Sequence, residues 1–464
     1  MRRHLRALAV GALVLVGVGL RVVVLLGRWG TVDSDEAVVG LMARGFHHGD
    51  WRAFYWGQHY GGTAETALVS LFGASTAALK LVPAALSGMA AVLTWRVGRR
   101  VVDEQLARAA GLLCWVGPGA YVWWSTKERG FYWVALVTGL LVVLAAQRIV
   151  AGGAWLDGLL FGAAAGVGFW SSPNVLYFAV PAGLWIVVRR HPPLRWLVTA
   201  VPATVVGALP WLWHNLGHDL PSLDRPPQPE HVSYLAGIGR LLWHVVPIAL
   251  NLRLPIDGTW VVPVVATVAY VALGVAVLWR RPPSLVATCL VTFPLIYAWF
   301  PGAWFVGEGR YALFALPFLA LAIVGVVRRP WTALGVVAVS AVLSVVALGH
   351  IGPESPRHLG GDLAALRRAG VDHAWADYWL AYRMAFVSGW LTASSYASSR
   401  EPTVFAAVEA DPTPAFLYPR GDDRAAELRA ALTVPSRTVS TPHLTAVLVD
   451  GPVDPRLLPP GVAP

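Results

Sequence analysis

Carboxylates, cations and aromatic rings gather at a few points of a chain that is otherwise mostly apolar. The run Thr31-Val32-Asp33-Ser34-Asp35-Glu36 sets three acids within four residues. Mutual repulsion makes such a cluster costly unless a cation, a donor-rich ligand or open water accompanies it. A plainer reading is a helix start: acids favour the first turn, with Ser34 or Asp35 as the cap. Downstream, the stretch Asp50 to Glu65 alternates aromatic with polar side chains and ends in Gly61-Gly62. An interfacial aromatic belt accounts for Trp51, Phe54, Tyr55 and Trp56. It leaves Gln58, His59 and Glu65 unexplained. Two further points carry cations. Lys127 and Arg129 flank Glu128 in Ser125-Thr126-Lys127-Glu128-Arg129-Gly130-Phe131-Tyr132, and Arg310 lies in Gly307-Glu308-Gly309-Arg310-Tyr311. These cations suit phosphate, either of bulk lipid headgroups or of one particular lipid.

The elements that must hold these groups follow from composition. Of 464 residues, 56% are hydrophobic and 13% charged, and mean hydropathy is +0.57. A soluble globular protein carries roughly a quarter charged residues, so lipid must solvate much of this chain. Apolar runs of about 20 residues, the length that crosses a bilayer, recur from Leu5 to Ala347. The first follows Arg2, Arg3 and Arg6 but has no clear small-residue cleavage site, so it reads as a retained helix. Cys114 and Cys289 both fall inside apolar runs, which argues against a disulfide framework. The net charge of +10 sits in short connections, a pattern of membrane topology rather than of nucleic-acid binding.

About eleven crossings are expected, near 6–26, 80–98, 106–124, 131–149, 156–171, 174–188, 196–213, 260–279, 284–300, 311–327 and 331–349. With the N-terminus in the cytoplasm, Arg96, Arg99, Arg100, Arg148, Arg189, Arg190, Arg195, Arg280, Arg281, Arg328 and Arg329 all face inward, as the positive-inside bias requires. Three regions then lie outside: 28–79, 214–259 and 351–464. In the first, Val38, Val39, Met42 and Phe46 recur at helical spacing, as do Ala67, Leu68, Leu71 and Phe72. Such helices lie in a membrane surface. The second holds a turn with Pro226, Pro227 and Pro229, and an amphipathic piece near Leu241–Leu250. The fold class expected is therefore an all-α multi-pass membrane domain over 1–350, with amphipathic outer-surface helices. A small mixed α/β extracytoplasmic domain, 351–464, follows it. In that tail Trp375, Tyr378, Trp379 and Tyr382 are spaced as one helical stripe suited to core packing. Arg21, inside the first span, either snorkels or reaches the outer cluster.

No Walker sequence, GxGxxG turn, zinc-type Cys/His spacing or GxSxG elbow is present. A first span followed by Asp35-Glu36 opening a surface helix, then many spans and an outer domain, resembles the GT-C integral-membrane glycosyltransferases. The protein O-mannosyltransferase and aminoarabinose transferase branch is most similar, in its uncharacterised bacterial members. The blocks that carry the resemblance are Ser34-Asp35-Glu36-Ala37, Phe54-Tyr55-Trp56-Gly57-Gln58 with Tyr60, and Lys127-x-Arg129-Gly130-Phe131-Tyr132. Arg310-Tyr311 and Asp377-Tyr378-Trp379-Leu380-Ala381-Tyr382-Arg383 complete the set.

The resemblance implies transfer of a sugar from a polyprenyl-phosphate donor to an acceptor hydroxyl, with inversion, on the outer face of a plasma membrane. Asp35 matches the acceptor-activating acid and Glu36 its neighbour, which makes both the expected catalytic residues. Lys127, Arg129 and Arg310 are expected at the donor phosphate. Asp33, Tyr55, Gln58, His59, Tyr60, Glu65 and Glu128 are expected around the substrates, Glu128 standing where some relatives carry a second acid. No cofactor is required, although Asp33, Asp35 or His59 could hold a divalent metal ion. The expected partners are the donor, membrane lipid and an envelope glycan, lipid or protein acceptor, with no nucleic acid. A transporter or lipid flippase would use the same outer charges as a gate, and a scaffold would need none of them.

Overall fold

The computed structural model describes residues 2–189, 194–224, 229–352, 356 and 358–464. Pro226, Pro227 and Arg190 lie outside the described residues, as do the side chains of Arg2, Arg3 and Arg195.

The acid cluster opens a helix, as its composition suggests, but the cap is Asp33. Helix α1 (Arg2–Leu26) is followed by α2 (Ser34–His47). There the Asp33 carboxylate accepts from the Glu36 backbone N–H and the Glu36 side chain accepts from the Asp33 N–H. This reciprocal box satisfies two donors that a helix start leaves open. Val38, Val39, Met42 and Phe46 are all buried on α2, as their spacing predicts. The second amphipathic stretch forms α3 (Ala64–Leu71).

The apolar runs then give α4 (Thr76–Gly98), α5 (Glu104–Val116), α6 (Gly119–Trp124), α7 (Tyr132–Val150), α8 (Trp155–Ser171), α9 (Leu176–Arg189), α10 (Leu194–Gly207) and α11 (Leu209–Leu216). Next come α12 (Tyr234–Arg240), α13 (Val246–Ile248), α14 (Pro263–Arg280), α15 (Ser284–Tyr297), α16 (Leu316–Val327) and α17 (Pro330–His350). Among the described residues five helices are long and apolar enough to cross a membrane: α1, α4, α7, α14 and α17. A sixth results if α10 and α11, bent by 60°, count as one span. The expected third crossing, 106–124, is broken. Gly117-Pro118 separates α5 from α6, because proline has no N–H to continue the ladder. The amphipathic piece near Leu241–Leu250 is also interrupted, by a π-helical turn at Leu241–Val245 between α12 and α13. Helix α7 lies at the centre, 78% of its span buried by neighbours, whereas α14 is 6% buried and lies at the edge. Neither cysteine is in a disulfide.

The tail is mixed, as expected. It comprises α18 (Gly360–Arg368), β1 (His373–Ala376), α19 (Tyr378–Ser388), β2 (Thr392–Ser394), α20 (Pro402–Glu409), β3 (Ala415–Pro419), α21 (Arg424–Ala431), β4 (Ser436–Ser440) and β5 (Leu444–Val449). The sheet order is β2-β1-β3-β5-β4. The first three strands of that order run parallel, while β5 is antiparallel to both its neighbours. Alternation along each strand sends Trp375, Phe416, Tyr418, Val447 and Val449 to a core under α20 and α21. Ala374, Ala376, Leu417, Ala446 and Leu448 join the core of the helical body. The aromatic stripe is thereby corrected. Trp375 belongs to β1, and the helix begins only after Asp377, which caps it through the Trp379 N–H.

Candidate active site

Three short segments bring the acids and cations together: the start of α2, the turn 125–131 between α6 and α7, and the start of α4. Glu36 is fully buried between two lysines. Lys80 Nζ lies 2.6 and 2.7 Å from its carboxylate oxygens, and Lys127 Nζ lies 3.0 Å from one of them. Both ammonium groups also donate to the Thr31 carbonyl, at 3.2 and 2.7 Å. Asp33 takes Arg129 at 2.9 Å and Lys127 at 3.4 Å. Asp35 takes the other guanidinium nitrogen of Arg129 at 2.9 Å. Three acids and three cations therefore balance one another. Burial alone would raise the Asp33 carboxyl; Arg129, Lys127 and the Glu36 N–H hold it below the usual carboxylate range. Arg129, which burial would lower, is raised by Asp33 and Asp35 and stays charged.

Exposure separates the acids. The Asp33 and Glu36 side chains are 1% and 0% exposed, and that of Asp35 is 27%. Both oxygens of Asp35 are engaged, one by Arg129 and the other by a phenol from the tail. Tyr378 of α19 donates its hydroxyl to Asp35 Oδ1, and Tyr55 donates to the Asp35 carbonyl at 3.0 Å. Burial first, and then the Asp35 charge, pushes the Tyr55 and Tyr378 phenols up, so both remain protonated donors. The Arg400 guanidinium lies over the Tyr378 and Tyr55 rings, 5.0 and 5.9 Å from their centroids. Arg310 stacks on Phe305 and Trp124 at 4.7 and 4.9 Å and meets Glu308 at 3.0 Å. Tyr60, which is 44% exposed, lies within the fields of Tyr132, Arg400, Arg310 and Asp35.

The expected site residues thus divide. Asp35, Tyr60 and Arg310 are partly exposed and lie with the buried Tyr55 on the solvent side of the cluster, its cleft. Asp33, Glu36, Lys127 and Arg129 lie beneath it as a buried ion network, not as free ligands for phosphate. Glu65 and Glu128 are both fully buried and face each other. One oxygen of each accepts a backbone N–H, from Val134 at 2.7 Å and from Gly130 at 2.8 Å. Gln58 has a buried side-chain oxygen without a protein donor. His59 turns away to His214, at 3.2 Å. Asp33 and Asp35 share Arg129, so the metal set considered from sequence is not assembled, and no group of three such ligands occurs among the described residues. Arg21 neither snorkels nor reaches the cluster. It is buried, bonded to the Gly17 and Trp115 carbonyls at 2.9 Å each.

Sequence reasoning missed Lys80 and Arg400. Lys80 carried a signal, since a lone ionisable group at the edge of an apolar run demands a partner. Arg400 carried none, because only the fold of the tail brings it to Asp35.

The fold has counterparts among solved structures. The crystal structure of ArnT from Cupriavidus metallidurans in the apo state superposes with a TM-score of 0.60 at 13% identity, over 96% of this chain and 99% of that one. The Archaeoglobus fulgidus oligosaccharyltransferase, in complex with Zn and sulfate, gives 0.50 at 12% identity, over 88% and 67%. Its apo form gives 0.50 at 11%, over 92% and 70%. The resemblance to the GT-C glycosyltransferases drawn from the sequence therefore holds at the level of the fold. No family model and no curated protein sequence matches the chain.

Proposed function

We propose that this chain is a membrane-embedded, inverting glycosyltransferase that takes its sugar from a polyprenyl-phosphate donor on the outer face of a plasma membrane. The observation that carries the proposal is the singular position of Asp35. It is the one acid of the cluster with a partly exposed side chain, with Arg129 on one oxygen and the Tyr378 hydroxyl on the other. A general base must reach the proton that it removes, and Asp35 alone of the three can.

In the proposed step, the acceptor hydroxyl oxygen bonds to the anomeric carbon as its proton passes to Asp35. The bond from that carbon to the phosphate oxygen breaks, and its electron pair leaves with the polyprenyl phosphate. The carbon passes through an oxocarbenium-like state, as in glycoside hydrolysis. Negative charge grows on the leaving phosphate, so a cation fixed beside it favours the transition state over the ground state. Arg400, and Arg310 whose pair with Glu308 is partly exposed, suit that role better than Lys127 and Arg129, which are buried in the network with Glu36, Asp33 and Asp35. Tyr60 and Tyr132 add hydroxyl donors on the same side.

Eleven crossings with the N-terminus inside would place this cleft at the outer membrane surface, where α2 and α3 border it. The acceptor would be an envelope glycan, lipid or protein. The test is turnover by the purified chain in liposomes with a panel of polyprenyl-phosphate sugars and envelope acceptors, with product anomericity read by NMR. Sugar transfer with inversion is expected. Retention, or binding of donor with no transfer to any acceptor, would contradict the proposal.

A further inference from the structure

Helix α19 presents two aromatic neighbours to two different places. Tyr378 reaches Asp35, and Trp379, its ring edge-on to Tyr378 at 5.1 Å, turns outward and is 56% exposed. Trp379 lines a groove of about 480 Å³ on the surface of the tail, together with Asp377, Arg420, Arg424 and His443. Two of these polar groups are held rigidly. Arg424 is clamped by Asp422 through contacts of 2.7–3.1 Å, and His443 meets Asp362 at 2.9 Å. The other two are not consumed. Among the described residues Asp377 makes no ion pair, accepts the Trp379 N–H at 3.0 Å and lies within the field of Arg424, while the Arg420 guanidinium donates weakly to the Thr441 and Pro442 carbonyls at 3.4 and 3.5 Å.

This combination has a definite chemistry. An aromatic face is electron-rich and apolar, and it packs on flat, weakly positive C–H surfaces. A carboxylate accepts hydrogen bonds only, and a guanidinium donates them in a planar fork. An exposed indole between such groups matches a pyranose ring, whose C–H face is apolar and whose edge carries vicinal hydroxyls. We infer that the groove beside Trp379 binds a saccharide chain and delivers its terminal hydroxyl past Tyr378 to Asp35. The inference deepens the transferase reading by naming the acceptor class, a glycan, and it rests on that reading for the delivery step alone. Groove and carboxylate are linked through adjacent residues of α19, Trp379 lining the one and Tyr378 bonded to the other.

Binding and turnover separate the two claims. Fluorescently tagged oligosaccharides of two to six hexose or uronic-acid units are titrated against the full chain in detergent. The comparison includes Trp379→Ala and Arg420→Ala, two exposed positions on different elements. The wild-type chain should bind at least one series, longer members more tightly, and each substitution should weaken it tenfold or more. Saturable binding that both variants retain, or no binding by the wild-type chain while it glycosylates a lipid or peptide acceptor, overturns the groove. Binding lost in the variants, from a wild-type chain that never transfers sugar, would keep the groove and sink the transferase.

Discussion

At the residue scale, burial decides which charges do chemistry and which hold structure. Three acids in four residues are tolerable here because three cations meet them, Lys80 from α4 and Lys127 and Arg129 from the turn 125–131. Removing one partner of a buried pair typically costs 3–5 kcal/mol, because the other charge is left unpaired. Lys127→Ala should therefore lower the melting temperature and the yield of folded protein, with loss of donor binding no greater than the loss of fold. Arg310→Ala should do the reverse. Its side chain is 26% exposed and rests on rings at the cleft. A charge-assisted contact is worth roughly 1.5–3 kcal/mol, so donor affinity should fall tenfold or more at unchanged melting temperature. Scanning calorimetry beside a donor-binding titration distinguishes the two. Equal behaviour of the variants would refute the division into network and cleft. The sequence announced the acids and cations by type and spacing. It could not say that Lys127 and Arg129 point inward, because the partner that draws Lys127 in, Glu36, lies 91 positions away.

At the element scale, the turn 125–131 is the joint between the segment carrying α2 and α3 and the helical body. Gly130 has φ +87°, a conformation that side chains rarely adopt, and the ring of Tyr55 leaves a Cβ there only 3.2 Å. Beneath the turn Glu65 and Glu128 meet without solvent. Burial, reinforced by the Glu65 charge beside it, pushes Glu128 well above the usual carboxylate range; burial also raises Glu65, against the hydrogen bonds that it makes with Glu128 and with backbone N–H groups. A free glutamate ionises near pH 4.3, so the folded pair holds a proton that the unfolded chain has released. Its contribution to stability is full below that pH and declines as the pH rises through the raised folded value. Glu128→Gln keeps a neutral donor in place and should flatten this alkaline decline in melting temperature, measured in detergent from pH 5 to 9. An unchanged slope would mean that the pair does not share a proton. The helical spacing of α2 and α3 was legible in the sequence. The break at Gly117-Pro118 carried its own signal in the proline, whereas the strand at Trp375 carried none, since tertiary pairing with β2 and β3 overrides a spacing that also fits a helix.

At the scale of the whole molecule, the sheet domain docks on α2 and brings Tyr378 and Arg400 to Asp35. Arg44 of α2 donates to the Phe386 carbonyl at 3.0 Å, its guanidinium 4.2 Å from that ring, and Gly40 leaves the space that Phe386 fills. Hydropathy and arginine position revealed a membrane domain with a polar tail. That the tail supplies Tyr378 and Arg400 to a site begun 343 residues earlier could come only from the folded chain. The proposed topology makes Glu230→Cys and Ser398→Cys reactive toward an impermeant thiol reagent in intact cells, and Arg100→Cys and Arg281→Cys protected. The opposite pattern would place the cleft in the cytoplasm and remove the outer-face mechanism. The central claim is tested most directly at Asp35. Asp35→Asn keeps the size of the side chain and can still pair with Tyr378, but it cannot take a proton. General-base catalysis is worth roughly 10² or more, so the turnover number should fall by about that factor while folded yield and donor affinity stay near those of the unaltered chain. Undiminished turnover in a properly folded Asp35→Asn protein would contradict the account.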